Sequence, residues 1–572
     1  MTATSSSDAA TVDSAEMAAK PSSTDIFRAL SRRKTGAMLL LGFAAGLPYV
    51  LITGTLLAWF TNEGIEVKTI GVFSWIIIIY GFKFLWAPAI DRMKAPPVFG
   101  MGQRRAGILL LQGVIIAALA FISLASPQSQ IGLIAMAAVV CTFASTCQDV
   151  LIDAWRIEVA DEETTVDLLS SVYQIGYRLA AILGGAGALI IAHRIGWNNT
   201  FVVLAALMSV AVTGVFVAQN GPVLRKSLAL SEDSAPVFWR NVILCGVMVL
   251  WAWCFVTLFG FMGYALQFPE LANARTFTRE TGPLIVIAAV IAPMAGAAFL
   301  LRRFDTASRP QWLSPWRGQS VLDIMYGAIL APMKDLITRL RYAALLVLVL
   351  VLSYRFVDLI WGAFAYPFYL GENYGALGHS LDEVAIASKL FGTLMTFLGI
   401  TVGGFSILKF GRMPCLFVGA VMAAATNLLL ADLALGGANT HAFLSTTRLY
   451  AVFGAIQPLA EFLGLDVTVG EKLSRLMAVI AAENLAVGFA SAAIVVYLSS
   501  IVNPKFAAVQ YALLASLTML IGSFGRGALG ELIEVRGFAF VFYLTAAMGL
   551  VAVVASAIEW IRQSRLAASS SA

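Results

Sequence analysis

Apolar runs of about 20–28 residues recur along this chain, divided by short polar segments. A helix needs about 20 residues to cross ~30 Å of hydrocarbon, at ~1.5 Å of rise per residue. Strands of a membrane barrel would be about half as long and would alternate in polarity. The runs do not alternate, so the pattern predicts an all-α integral membrane protein. Fourteen spans are predicted, the first eight at 36–60, 69–90, 106–125, 131–155, 168–193, 200–218, 241–264 and 281–301. The other six are 342–370, 384–409, 413–435, 474–501, 508–530 and 537–560.

Composition agrees, with 59% hydrophobic and 12% charged residues, where soluble chains carry about 25% charged. Residues 1–35 begin with MTATSSSDAATVDSAEMAAKPSST, too polar and too small to build a core, and are predicted to be a disordered cytoplasmic segment. The first apolar run is long enough to span, which argues against a cleaved signal. Cationic loops mark the cytoplasmic side. With the N-terminus inside, and the span-end residues Lys409 and Arg475 counted with their adjoining loops, 25 Lys and Arg fall on cytoplasmic segments, eight outside and five within spans. Both termini are therefore expected in the cytoplasm, the C-terminal one as a short tail at 561–572. The net charge of +5 reflects these loops rather than a nucleic-acid surface.

Metal and cofactor chemistry find little support. The five cysteines form no CxxC pair, and there is no HExxH among the three histidines. His193, His379 and His441 are expected at the surface, without a role. Gly184, Gly185, Gly187, Gly403 and Gly404 suit close helix approach. No GK[ST] follows them, so an ATP site is excluded and energy must come from an ion gradient or the solute.

Charges inside the spans reveal an internal repeat. Setting aside 241–264 and 281–301, six spans remain on either side, as in the two-halved architecture of the major facilitator superfamily. The second span of each half carries a lysine, Lys83 and Lys389. The fourth carries acid, Asp149 and Asp153 in one half and Glu483 in the other. The fifth carries arginine, Arg178 and Arg526. The chain thus reads as an N-terminal half (36–220), an inserted helix pair (241–301), a cytoplasmic linker (302–341) and a C-terminal half (342–560). The inserted spans hold no charged residue and are expected to be peripheral and lipid-facing. In the linker, VLDIMYGAILAPMKDLITRLRY has helical apolar spacing and is expected to lie at the membrane surface. Residues 436–473 form a long outer loop with apolar patches at Phe453, Phe462 and Leu465, a short helix or a lid.

The stretch CQDVLIDAW places Asp149 and Asp153 four residues apart, on one helix face. A charge at mid-membrane costs roughly 2.5–3.5 kcal/mol on insertion scales, so such groups call for a reason. Two readings stand side by side. The carboxylates brace the bundle by pairing with Lys83, Arg92 or Arg178, or Asp149 and Glu483 load and unload a proton as partners change between states. Lys83, Arg178, Arg355 and Lys389 are also suited to hold carboxylates of an anionic solute. Tyr80, Tyr177 and other aromatic residues of the spans suit sugar rings or acyl groups, or serve packing and the interfacial belt.

GFAAGLP (42–48), GTLLAWF (54–60), TIGVFSW (69–75), FKFLWAPAIDR (82–92), CQDVLIDAWRIE (147–158), GYRLA (176–180), AENLAVGF (482–489), QYALLASL (510–517) and APMKDLITR before the ninth span resemble the AmpG-type muropeptide permeases. The resemblance covers roughly residues 36–220 and 325–560. It implies a 14-helix facilitator-fold carrier in the inner membrane of a Gram-negative bacterium. Such carriers use the proton gradient to import GlcNAc–1,6-anhydro-MurNAc, with or without its stem peptide, from periplasm to cytoplasm. This serves peptidoglycan recycling and β-lactamase induction, without a cofactor. The family's QD…D pattern maps onto Gln148, Asp149 and Asp153, its tyrosine–arginine pair onto Tyr177 and Arg178, and its EN pair onto Glu483 and Asn484. Together with Lys83, Tyr80, Arg355, Asp358 and Lys389 these form the expected path, with protons exchanged at Asp149, Asp153 and Glu483. The expected partners are the muropeptide, protons and lipid, around a monomer. Rival readings are a carrier of another bulky anion such as acetyl-CoA, or a membrane assembly factor on a related scaffold. The 436–473 loop and the N-terminal segment depart from the family.

Overall fold

The computed structural model describes residues 31–570 apart from 84–85, 87–89, 91–99, 162, 221–236, 269–270, 305–320, 341–342, 463, 502–513, 515–521 and 523–524. Twelve of its helices are long and apolar enough to cross a membrane. In the N-terminal half these are α1 (Arg33–Asn62), α3 (Gln103–Ile122), α4 (Pro127–Val159), α5 (Leu168–Ile195) and α6 (Trp197–Val217). Between α1 and α3 lies the shorter α2 (Val67–Gly81), where a span over 69–90 is predicted. Much of 84–99 lies outside the described residues, so that span is seen only in its first part. The inserted pair is α7 (Phe238–Gln267) and α8 (Ala274–Arg303), and the linker contributes α9 (Val321–Leu340).

In the C-terminal half follow α10 (Ala344–Leu370), α11 (Leu381–Ile407) and α12 (Arg412–Ala434). The outer loop is built of three short helices, α13 (Ala438–Thr446), α14 (Leu449–Gly454) and α15 (Gln457–Phe462). Then come α16 (Glu471–Leu498) and α17 (Arg526–Leu566). Gly537, at φ 78°, breaks α17, so its first turns close the predicted span 508–530 and the rest is the last span. Most of 508–530 lies outside the described residues.

Each half packs by close helix approach. A Cβ on Gly176 would fall 2.1 Å from the Leu39 carbonyl, and one on Gly399 2.4 Å from that of Leu485. Glycine lets the α1–α5 and α11–α16 backbones touch, and packing, not hydrophobic expulsion, holds membrane helices together. Gly403 makes such an approach to Phe489, whereas Gly404 has nothing within 4 Å and corrects the expectation placed on it.

The inserted pair is not simply peripheral. One side faces lipid, with Val249 68% and Val256 70% exposed. The other side packs on the seam between the halves. Phe261 and Phe277 lie against Trp75 of α2, Trp251 and Phe255 meet Phe82, and the Arg275 amide donates to Glu531 of α17 at 3.0 Å. A charge-free run says what a helix tolerates, not which neighbour it has. The linker forms the helix α9. It buries Tyr326, Ile329, Leu330 and Met333, its Tyr326 ring carries the Arg240 guanidinium of α7 at 4.9 Å, and its Arg339 donates to the Ile501 carbonyl at 2.8 Å.

Candidate functional site

The helix pairs that join the two halves most extensively all lie from mid-bundle toward the end expected outside, here the outer end. α2 packs on the first turns of α17, the end of α1 on the end of α10, and the end of α5 on the start of α11. Among the described elements no comparably extensive pair joins the halves toward the opposite end.

Of the four π turns among the described residues, one lies in the inserted α8 (Ile287–Ile291) and three lie where the halves meet: Leu51–Thr55 in α1, Leu183–Gly187 in α5 and Ala385–Phe391 in α11. Pro48 precedes the first, and Gly184 and Gly185 supply the second. Such turns are frequent at functional sites because they re-aim side chains out of register. The three meet: Thr55 donates to the Gly184 carbonyl at 2.5 Å, and a Cβ on Gly185 would come 3.3 Å from Lys389 Cδ. Lys389 therefore lies across the seam, its stem over Gly185 and its ammonium 4.8 Å from the Tyr366 ring centre, a cation–π contact.

Around this crossing the predicted residues form two clusters. In the N-terminal half, Asp149 is 9% exposed and its Oδ1 has no hydrogen-bond partner among the described residues. The charges acting on it are those of Lys83 and Asp153. Gln148 is fully buried and donates to the Ala44 carbonyl of α1 at 3.0 Å. Tyr80 donates to Ser145 at 3.0 Å, and Tyr49 stands between the rings of Tyr80 and Tyr177, at 5.0 and 6.2 Å. Tyr49 was not singled out in the sequence. It follows Pro48 in GFAAGLPY, in the last turn of regular helix before the π turn.

In the C-terminal half, the charges acting on Glu483 are Asp358 and Lys389. Arg355 pairs with Asp358 at 3.4 Å and donates to Ser491 at 3.0 Å. Asn484 accepts from Thr396 at 2.9 Å and donates to the Ile480 carbonyl, positioning the α11–α16 contact. The two halves thus match: in each, the lysine of the second span acts on the carboxylate of the fourth. Both fifth-span arginines reach across the seam. Arg178 lies 5.5 Å from the Phe397 ring centre, and Arg526, 6% exposed, donates to the Leu359 carbonyl at 2.7 Å and toward that of Ser74 at 3.5 Å.

Several expectations are corrected. Asp153 does not pair with Lys83 or Arg178; it binds Arg156 one turn on, at 2.9 Å, with its side chain 44% exposed. Arg92 lies outside the described residues. The i,i+4 spacing sets a shared face but not a shared environment, because Asp153 lies one turn nearer the helix end. His379 is no surface histidine: its side chain is 1% exposed and bonds Glu383 at 2.9 Å. His193 sits 3.5 Å from the buried Asp382. In the outer loop Phe453 and Leu465 are buried, whereas Phe462 is 85% exposed. No group of three metal-binding side chains occurs among the described residues.

The arrangement presents acids, cations and aromatic faces to a seam between two helical bundles, which suits passage of a solute rather than bond chemistry. No family model matches the chain. The chain is similar to the anhydromuropeptide permease of Escherichia coli K12, 26% identical over 91% of this chain and 78% of that one. It is also similar to a Rickettsia felis protein of the AmpG designation, 23% identical over 90% of this chain and 93% of that one. In structure it matches an auto-inhibited POT family peptide transporter with a TM-score of 0.57, over 93% of this chain and 97% of that one, at 12% identity. The chain therefore shares the fold of that peptide transporter, and the resemblance to AmpG-type permeases extends over nine-tenths of the chain.

Proposed function

We propose that this chain is a proton-driven importer of GlcNAc–1,6-anhydro-MurNAc muropeptides, carrying them inward across the inner membrane of a Gram-negative cell as a monomer. The observation that carries the reading is the likeness to an anhydromuropeptide permease along most of both chains. The mid-bundle clusters support it. Muropeptides are anionic through the stem peptide, and Lys389, Arg178 and Arg355 are cations placed where the halves meet. The rings of Tyr49, Tyr80, Tyr177 and Tyr366 offer flat apolar faces to sugars.

In this reading Asp149 and Glu483 exchange protons. Each is held near one lysine without an ion-pair contact, so a shift of one helix changes which partner each sees. Asp153, paired locally, is the weakest of the three acids for that role. Import uses the outer contacts to close behind the solute, and the cation-rich loops orient both termini to the cytoplasm. Right-side-out vesicles carrying the protein should accumulate labelled anhydro-muropeptide when an inward-acid pH gradient is imposed. Equal accumulation in vesicles lacking the protein, or accumulation of an acetyl-CoA instead, rejects the reading.

A further inference from the structure

The outer loop is built rigidly onto the C-terminal half. At its start, Arg475 of α16 donates to the Gly436 carbonyl at 2.7 Å. Asp432, at the end of α12, accepts from the amides of Asn439 and Thr440 at 3.2 and 2.8 Å. At its close, Gln457 bonds the Val467 carbonyl and the Val469 amide at 3.1 and 2.8 Å. Phe453 packs edge-on against Phe391 of α11 at 5.9 Å.

The return segment 464–466 reaches the other half. Arg194, in the last turn of α5, donates to the Gly464 carbonyl. Two residues on, the Asp466 amide donates to Asp382 Oδ2 at 3.1 Å. Asp382 sits in the first turn of α11 and is 1% exposed. Its other oxygen, Oδ1, has no hydrogen bond among the described residues; it lies 3.5 Å from His193 and 3.8 Å from Arg194. One buried carboxylate thus holds the loop with one oxygen and faces the N-terminal half with the other. At Asp382 Oδ1 the contact is made without hydrogen-bond geometry, so opening exposes this oxygen to water and breaks the aligned bond from Arg194 to the Gly464 carbonyl.

We infer that Asp382 is a positioning residue for the transport cycle, through which the outer loop latches the outer end shut. The loop moves with the C-terminal half, and its hold on Arg194 through Gly464 is made only when the halves meet. The inference goes beyond the muropeptide reading and does not depend on it. Spin labels at Asn199 and Glu372, both exposed at the outer end, report the separation of the halves in the full chain, with the native cysteines replaced. No solute is needed, so failure here and failure of the uptake experiment are distinct. In the unaltered loop and clasp a short separation dominates. Asp382→Asn should raise the long-separation population several-fold, and Asp382→Glu should not. Replacing 438–470 with a short Gly-Ser linker should give the same rise, and adding Asp382→Asn to it should give little more. Arg194→Gln, on the opposite half, should repeat the effect and serves if Asp382→Asn does not fold. An unchanged distribution in the foldable variants, or fully additive effects of loop and carboxylate, overturns the inference.

Discussion

The two mid-bundle clusters share a plan and differ in how their acids are held. In the N-terminal half Asp149 is buried, one oxygen has no hydrogen bond among the described residues, and Lys83 acts on it without an ion-pair contact among them. In the C-terminal half Asp358 has a partner at 3.4 Å in Arg355, itself tied to Ser491, and Glu483 lies between the charges of Asp358 and Lys389. A carboxylate with a fixed arginine is a poor proton carrier, because the cation favours its charged form in every state that keeps the pair. A lone buried carboxylate is sensitive to any helix shift that moves its lysine. On this difference rests the proposal that Arg355–Asp358 braces and contacts solute while Asp149 and Glu483 exchange protons.

The comparison breaks most visibly at the braced pair. Arg355→Leu strands Asp358 in the bundle and should lower unfolding stability in detergent by roughly 1–3 kcal/mol, less than a fully buried pair because Arg355 is 34% exposed. The double variant Arg355→Leu/Asp358→Leu should recover most of that loss; equal instability of both would mean the pair braces nothing. Lys389→Met removes the cation at the crossing while leaving its stem. It should raise KM for muropeptide by about tenfold, worth about 1.4 kcal/mol, with kcat changed less. A fall in kcat at constant KM would instead place Lys389 in the conformational step.

Smaller effects sharpen the same contrast. Asp153→Asn should change uptake less than about twofold, since an exposed pair one turn apart contributes about 0–1 kcal/mol. A large loss there would return Asp153 to the path. Outside the membrane, a hydrogen bond from Lys34, aided by those of Thr164, holds Asp161 well below the usual carboxylate range. A depressed carboxylate contributes stability above its unfolded value and loses it as pH falls through the folded one. Asp161→Asn should therefore lower stability slightly at neutral pH and flatten the acid limb, the two profiles converging at low pH; a difference confined to low pH would contradict the assignment.

Much of this plan is legible in the sequence, because hydrophobic run length and the cost of buried charge are strong signals. Lys83 and Lys389 match by position in the two halves, as do Asp149 and Glu483, and in the structure each lysine acts on the acid of its own half. Identity of register is harder. Asp149 and Asp153 share a helix face yet have different surroundings, which only depth and neighbours decide. The π turns carry no clear letter code, so the placing of Lys389 over Gly185 is out of reach, and Tyr49 joins its cluster through ring contacts with distant Tyr80 and Tyr177. The burial of His379 and the clasp at Asp382 depend on pairing between distant segments, which hydropathy does not encode. The lack of charge in the inserted pair concealed its aromatic contact with Trp75 and Phe82.

The most direct measurement is gradient-driven uptake of a defined anhydro-muropeptide by vesicles bearing Asp149→Asn, Glu483→Gln or the unaltered protein at equal membrane levels. The unaltered protein should accelerate uptake under an inward-acid gradient, and each variant should lose about tenfold or more of that acceleration, as expected when a loss of 1.4 kcal/mol or more falls on the coupled step. Full, gradient-dependent uptake by both variants would contradict a proton role for these two buried acids.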